Sequence, residues 1–289
     1  MDPQLIVNGI ALGSIIALGA VGLTLTYGIL RLSNFAHGDF MTFGAFIAWM
    51  LNMSPIPVLN NIWVSMLVGI VATVGVALLA EAILWKRMRH VRATSTTLVI
   101  ISIGLALFIR NGILLVWGSD AKRYNLPVSE AIDLFGIKIK FYNLVVLGLA
   151  TVAIAGLHFL LQNTKIGKAM RAVADDIDLA RVTGINVEQV VLWTWIIAAS
   201  LTGLGGQMYG LVTNVRPDMG WFLIMPMFAA VTLGGIGNPY GAIAGAFIIG
   251  IAQEVSVPIV GSQYKLAIAL ILMVLTLLFR PQGLFKGTA

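Results

Sequence analysis

The sequence predicts an all-α protein that crosses a membrane many times, and three observations carry that prediction. Of its 289 residues 59% are hydrophobic and 10% charged, with a mean hydropathy of +0.95, whereas a soluble chain carries about a quarter charged residues. The apolar residues fall into runs at 5–27, 40–51, 62–85, 97–117, 141–161, 190–212, 222–233, 242–253 and 266–279. Lysine and arginine are concentrated in alternate gaps between those runs. The expected architecture is one transmembrane domain over 1–289, a polytopic bundle of about 8–9 helices, some short or broken, with a two-helix loop at 163–187 standing outside the bilayer.

The first run follows M-D-P-Q, with no basic stretch ahead of it, as expected of a retained span and not of a cleaved signal peptide. A hydrocarbon core of about 30 Å takes roughly 20 helical residues. The runs at 40–51, 222–233 and 242–253 are too short to cross cleanly alone, so eight spans and nine are both open. Two of these short runs follow polar breaks, L-R-L-S-N-F-A-H-G-D at 30–39 and T-L-G-G-I-G-N-P-Y-G at 232–241, and each then carries G-A-F-I, at 44–47 and 245–248. The pair reads as a weak parallel duplication or as chance similarity among small apolar residues.

Backbone groups freed at a break cannot face lipid; they are covered by protein or line a watery cavity. Asn34, His37, Gly38 and Asp39 at the first break, with Gly234, Gly235, Gly237 and Asn238 at the second, are therefore candidate residues of a translocation pathway. The other reading is two tight turns, with Asn34 or Asp39 as caps and Gly-Asn-Pro as turn chemistry.

Positive charge orients the chain. Arg31, Lys86, Arg87, Arg89, Arg92, Lys165, Lys168, Arg171, Arg181, Arg280 and Lys286 fall on one side if all nine runs cross, against Lys122, Arg123, Lys138, Lys140, Arg216 and Lys265 on the other. The positive-inside rule makes the first side cytoplasmic, with the C-terminus, and puts the N-terminus outside. Asp120, Glu130 and Asp133 balance the outer segment 118–140. Within spans, Glu81 is expected to pair with the basic cluster at 86–92, Arg110 to pair inside the protein with Glu254 as its candidate partner, and His158 to be a hydrogen-bonded core residue. Gly9, Gly13, Gly203, Gly205, Gly206 and Gly210 allow close helix packing.

The polar insert at 164–187 is folded, not a loose linker. Ile166, Ala169, Met170 and Val173 recur at helical spacing, leaving Lys165, Lys168 and Arg171 elsewhere. Asp175 or Asp176 caps a second short helix, Gly184 ends it with Ile185 folding back on Leu179 or Ala180, and Asn186 with Gln189 starts the next span. Thr94 to Thr97 reads as a cap before the fourth long run.

Other chemistry is thin. Cysteine is absent, so there is no disulfide or thiolate site. The basic residues form no aromatic-interleaved patch, which argues against nucleic acid. There is no phosphate loop, since Gly167-Lys168-Ala169 lacks the glycine spacing and the hydroxyl, and no metalloprotease or nucleophile-elbow motif. No catalytic residue or metal site is expected.

Four stretches carry a resemblance: N-F-A-H-G-D at 34–39; G-K-A-M-R-A-V-A-D-D at 167–176 with A-R-V-T-G-I-N-V at 180–187; G-G-I-G-N-P-Y-G-A-I-x-G-A at 234–246; and R-P-Q-G-L-F at 280–285. Together they resemble the LivH-type permease of bacterial branched-chain and neutral amino-acid ABC transporters, over nearly the whole chain. The resemblance implies a multi-pass inner-membrane permease that works beside a second related permease. Two ATP-binding subunits would sit on its cytoplasmic face and a periplasmic binding protein would deliver substrate. ATP-Mg would be used by the partners, with no cofactor bound by this chain. The family's coupling loop falls on Gly167, Met170, Arg171, Ala174, Asp175, Ala180 and Gly184. Sister systems for urea or short amides share much of the pattern, and a self-sufficient ion-coupled carrier or channel is the competing class. A carrier would need a buried relay, for which only Asp39, Glu81, Glu254 and His158 are candidates.

Overall fold

The computed structural model describes residues 3–127, 131–134 and 137–285; Glu130 and Lys286, which enter the charge count, lie outside them. Helix α1 (Pro3–Leu30) is the central stave, buried along most of its length because its glycines and alanines let neighbouring helices approach. A Cβ on Gly250 would sit 2.5 Å from Gly13 Cα, so α1 and α12 (Pro239–Val255) touch backbone to backbone.

After α1 come α2 (His37–Asn52), a short α3 (Pro57–Asn60) and α4 (Ile62–Ala80), which runs on through a π-helical turn (Glu81–Trp85) into α5 (Lys86–His90). Helix α6 (Ser95–Trp117) starts at Thr94, whose hydroxyl accepts from Thr97 N at 3.3 Å, as expected. The chain is all-α as expected, with one small addition among the described residues, a two-stranded antiparallel hairpin of β1 (Ala131–Leu134) and β2 (Ile137–Lys140). The period-2 alternation of A-I-D-L and I-K-I-K favours strand over helix there. Then follow α7 (Phe141–Asn163), α8 (Lys165–Asp175), α9 (Ile177–Val182), α10 (Val187–Val212), α11 (Met219–Gly234), α12, a short α13 (Val257–Val260) and α14 (Lys265–Phe279).

Six helical stretches are long and apolar enough to cross a membrane, while α2, α11 and α12 have 16, 16 and 17 residues. At 1.5 Å per residue these three span about 24–26 Å, short of a full hydrocarbon core. Outward faces of α4, α6 and α14 expose Leu67, Phe108 and Phe279, the dress of helices that meet lipid.

Polar contacts between distant segments sort to two ends. At one end Lys86 pairs with Glu188 at 2.9 Å, and Leu284 N donates to Leu233 O at 2.8 Å. At the other, Lys122 and Val215 exchange backbone hydrogen bonds, Asn125 N donates to Asn52 Oδ1 at 2.7 Å, and Lys265 pairs with Glu254 at 2.6 Å. Tyr124 inserts from that far end to donate to Ala45 O at 3.2 Å, and burial pushes its phenol up. Elements therefore alternate in direction along the chain.

Ion pairs inside the bundle follow the expectations in part. Glu81 is 3% exposed; it pairs with Arg89 and also accepts from Trp195 Nε1 at 2.7 Å. Arg110 does not pair with Glu254: its Nε and Nη2 each lie 3.2 Å from an Asp39 carboxylate oxygen, and its guanidinium stacks 4.8 Å from the Trp221 ring. Glu254 is held instead by Lys265.

Candidate coupling site and helix breaks

The insert folds into a capped two-helix knuckle. Thr164 Oγ1 accepts from Gly167 N at 3.0 Å and donates to Leu160 O at 2.6 Å, so α8 starts directly against the end of α7. A Cβ at Gly167 would collide with the Leu160 and Leu161 carbonyls. Met170 and Val173 are buried while Ile166 and Ala169 are half-buried, so the expected apolar face finds its partner in the bundle.

Of the two aspartates Asp176 is the cap: its Oδ1 accepts from Asp178 N and Leu179 N, both at 2.9 Å. Gly184 follows α9 at φ 89°, Gly184 N donates to Arg181 O and Ile185 N to Ala180 O. That pair of bonds is a Schellman closure, and the left-handed position selects glycine. Asn186 Oδ1 accepts from Gln189 N at 3.1 Å and starts α10.

The seven coupling residues expected from sequence therefore split. Gly167, Met170 and Ala180 are buried and hold the knuckle together, Ala174 is half-buried, and Arg171, Asp175 and Gly184 are exposed. Two residues that periodicity did not mark stand out at the tip, where Leu179 is 60% and Val182 80% exposed.

Arg171 ties this knuckle to the bundle. Its Nη1 donates to Leu161 O and to Gln162 Oε1, both at 2.8 Å; Gln162 Nε2 donates to Tyr240 Oη at 3.1 Å; and Tyr240 Oη meets His158 Nδ1 at 2.9 Å. The chain of contacts runs from α8 through the end of α7 to the first turn of α12. Beside it lies a cavity of about 90 Å³ whose lining includes Thr24, Gly28, Met170, Gly237 and Tyr240. His158 is hydrogen-bonded as expected, yet it is exposed and not a core residue, because its face of α7 points away from the bundle. Tyr240 and Gln162 went unmarked in the sequence, since their partnership joins positions 78 residues apart.

The breaks explain the short helices. Between Leu30 and His37 the chain turns back into the bundle without helix: Phe35 N donates to Ser102 Oγ at 3.1 Å, Ala36 N to Asn34 Oδ1 at 3.1 Å and His37 N to Asn34 O at 3.3 Å. Ser102 and Arg110 bracket the middle third of α6, so the first turn of α2 lies inside the layer and 16 residues suffice to reach the far end. Helix α11 also begins inside: Gly220 N donates to Thr42 Oγ1 at 3.0 Å, and a Cβ on Gly38 or Gly220 would strike the other's carbonyl. The amino-terminal turns of α2 and α11, which run in opposite directions, thus touch at a glycine pair.

Asn34, His37 and Asp39 are packed in the interior at 0, 1 and 0% exposure. His37 Nε2 lies 3.0 Å from Gly19 O and 2.7 Å from Thr202 Oγ1, leaving His37 Nδ1 and Asn34 Nδ2 buried without hydrogen bonds. The second break is a capped turn. Gly235 and Gly237 have φ of 106° and 88°, Gly237 N donates to Thr24 Oγ1 at 2.9 Å, and Asn238 Oδ1 accepts from Tyr240 N and Gly241 N. Gly234 approaches Gly241 backbone to backbone. The R-P-Q-G-L-F segment closes over it, with Asn238 Nδ2 donating to Phe285 O at 3.2 Å.

The chain is thus a multi-span helical bundle, broken inside the layer and bearing a compact folded protrusion. The chain belongs to the family described as branched-chain amino acid transport system / permease component, whose sequence pattern matches residues 5–277. It is 30% identical to the high-affinity branched-chain amino acid transport system permease protein BraD of Pseudomonas aeruginosa, over 97% of this chain and 94% of that one. It is 31% identical to the corresponding permease LivH of Escherichia coli K12, over 97% and 94%, and to the probable branched-chain amino acid transport permease LivH of Methanocaldococcus jannaschii, over 98% and 92%. Among solved structures, PsaBC from Streptococcus pneumoniae in complex with Fab shares the fold, with a TM-score of 0.53 at 15% identity over 97% of this chain and 92% of that one.

Proposed function

We propose that this chain is the permease of an ATP-driven importer of branched-chain and neutral hydrophobic amino acids in a bacterial inner membrane. It works beside a second related permease, takes substrate from a periplasmic binding protein and is driven by two ATP-binding subunits that use ATP-Mg; the chain itself hydrolyses nothing. The knuckle and the C-terminus face the cytoplasm and the N-terminus faces outward, because Lys86, Arg87, Arg89 and Arg92 lie at the knuckle end.

The observation that carries this reading is the exposed apolar tip, Leu179 and Val182, on a knuckle otherwise capped and packed. Apolar side chains presented on a polar protrusion mark a protein-docking surface. Closure of the ATP-binding subunits would push on α9. The knuckle moves as one body because Gly167 and Arg171 lock α8 to α7 and the Gly184 turn locks α9 to α10. Gln162 and Tyr240 pass the displacement to α12 and so to the 234–238 turn. The α11–α12 pair then shifts against α2 at the Gly38–Gly220 contact, which opens the seam between two helix amino-termini. Such termini carry partial positive charge and suit the carboxylate of a zwitterion.

The test is co-purification with uptake. Val182→Glu and Arg171→Glu are expected to lose both the ATP-binding subunits and leucine uptake while the permease still inserts. Retention of both activities in both variants overturns the docking role, and uptake by this chain alone under an ion gradient overturns the ATP-driven reading.

A further inference from the structure

We propose that the far end of the molecule holds a second recognition site, a cavity that takes a free α-amino acid as its zwitterion. This deepens the importer reading and rests on its amino-acid class. The cavity measures about 350 Å³ and lies between the ends of α1, α7, α10 and α12 and the start of α14, within the roughly 300–1,000 Å³ typical of small-molecule sites.

One wall is built for a carboxylate. Helix α7 begins there without a side-chain cap among the described residues, so its first N–H groups face the cavity end of the helix. Lys140 stands at that terminus with no ion-pair partner among the described residues. Asn143, one turn on, is 7% exposed, lines the cavity and makes no side-chain hydrogen bond among the described residues. Its amide opens onto the cavity, where a bound group can meet it.

The opposite wall offers an acceptor for an ammonium. Glu254 pairs with Lys265 through Oε1, which leaves Oε2 for a second donor. Leu12 and Ile15 of α1 add apolar lining for a hydrocarbon side chain. A free anion or a free amine would satisfy one wall only; an α-amino acid satisfies both.

The test exploits the absence of cysteine from the chain. In the assembled transporter Thr213→Cys places a thiol on the cavity rim, to be labelled from outside by a membrane-impermeant reagent. L-Leucine is expected to slow labelling several-fold, while isoamylamine and 4-methylpentanoate, which each lack one charge, leave it unchanged. Adding Asn143→Ala is expected to abolish leucine protection, with Asp120→Cys as an exposed control that leucine does not protect in either background. Labelling of Thr213→Cys indifferent to leucine overturns the site, whether or not the complex imports leucine. Protection without import keeps the site and removes the importer reading instead.

Discussion

Arg110 grips Asp39 side-on, Nε to Oδ1 and Nη2 to Oδ2 both at 3.2 Å, with the carboxylate 1% exposed and the guanidinium carbon over the Trp221 ring, 4.8 Å from its centroid. The pair fastens α6 to the first turn of α2, where the chain has just re-entered the bundle. A bidentate ion pair in low dielectric is strong, but loss of one member strands the other. Asp39→Asn is therefore expected to destabilise the protein by about 3–5 kcal/mol, read as a lowered thermal midpoint in detergent. The double variant Asp39→Asn, Arg110→Gln is expected to recover part of that loss, because no bare charge remains.

The Gly38–Gly220 contact leaves no room for a methyl group on either side. Gly38→Ala is expected to cut the yield of folded permease severely, since the obstructing atoms are backbone and cannot rotate away. Gly104→Ala, on an open face of α6, is the control and is expected to be neutral or to gain about 0.5–1 kcal/mol. Equal yields from the two variants would show that α2 and α11 do not meet as described.

Tyr240 is expected to transmit and not to build. Tyr240→Phe keeps the ring and removes its bonds to Gln162 and His158, each worth about 1 kcal/mol. Folding should survive. Uptake by the reconstituted complex is expected to fall roughly 10-fold while ATP hydrolysis continues, a separation that a merely structural residue would not produce.

Gly184 sits at φ 89° with open space around it. Gly184→Val meets backbone strain and not a clash, so the cost falls on the closure of α9, about 1–3 kcal/mol. Limited proteolysis is expected to cut the knuckle faster in this variant, with the spans left intact.

Local rules made the knuckle and the start of α6 legible from sequence. Asp176, Gly184, Asn186 and Thr94 act on backbone groups within a few residues of themselves, and each caps or closes as its residue type dictates. Long-range partnerships were another matter. Arg110 clearly needed a buried partner, but choosing Asp39 over Glu254 required knowing that α2 starts inside the layer and not at its face. His158 looked like core because its neighbours are apolar, which in a membrane protein describes outward faces equally well. Asn143 carried no periodic or motif signal, and the motif that contains Tyr240 gave no hint of its partners; only assembly shows Tyr240 joining two helices and Asn143 lining a cavity.

The central claim is that the folded knuckle lies on the cytoplasmic side, where an ATP-binding partner can reach it. Because the chain has no cysteine, a thiol introduced by Lys168→Cys on the exposed side of α8 reports that side directly in intact cells. The expected result is no reaction with a membrane-impermeant reagent until the membrane is opened, and protection even then when the ATP-binding subunits are bound. Labelling of intact cells from outside would contradict it.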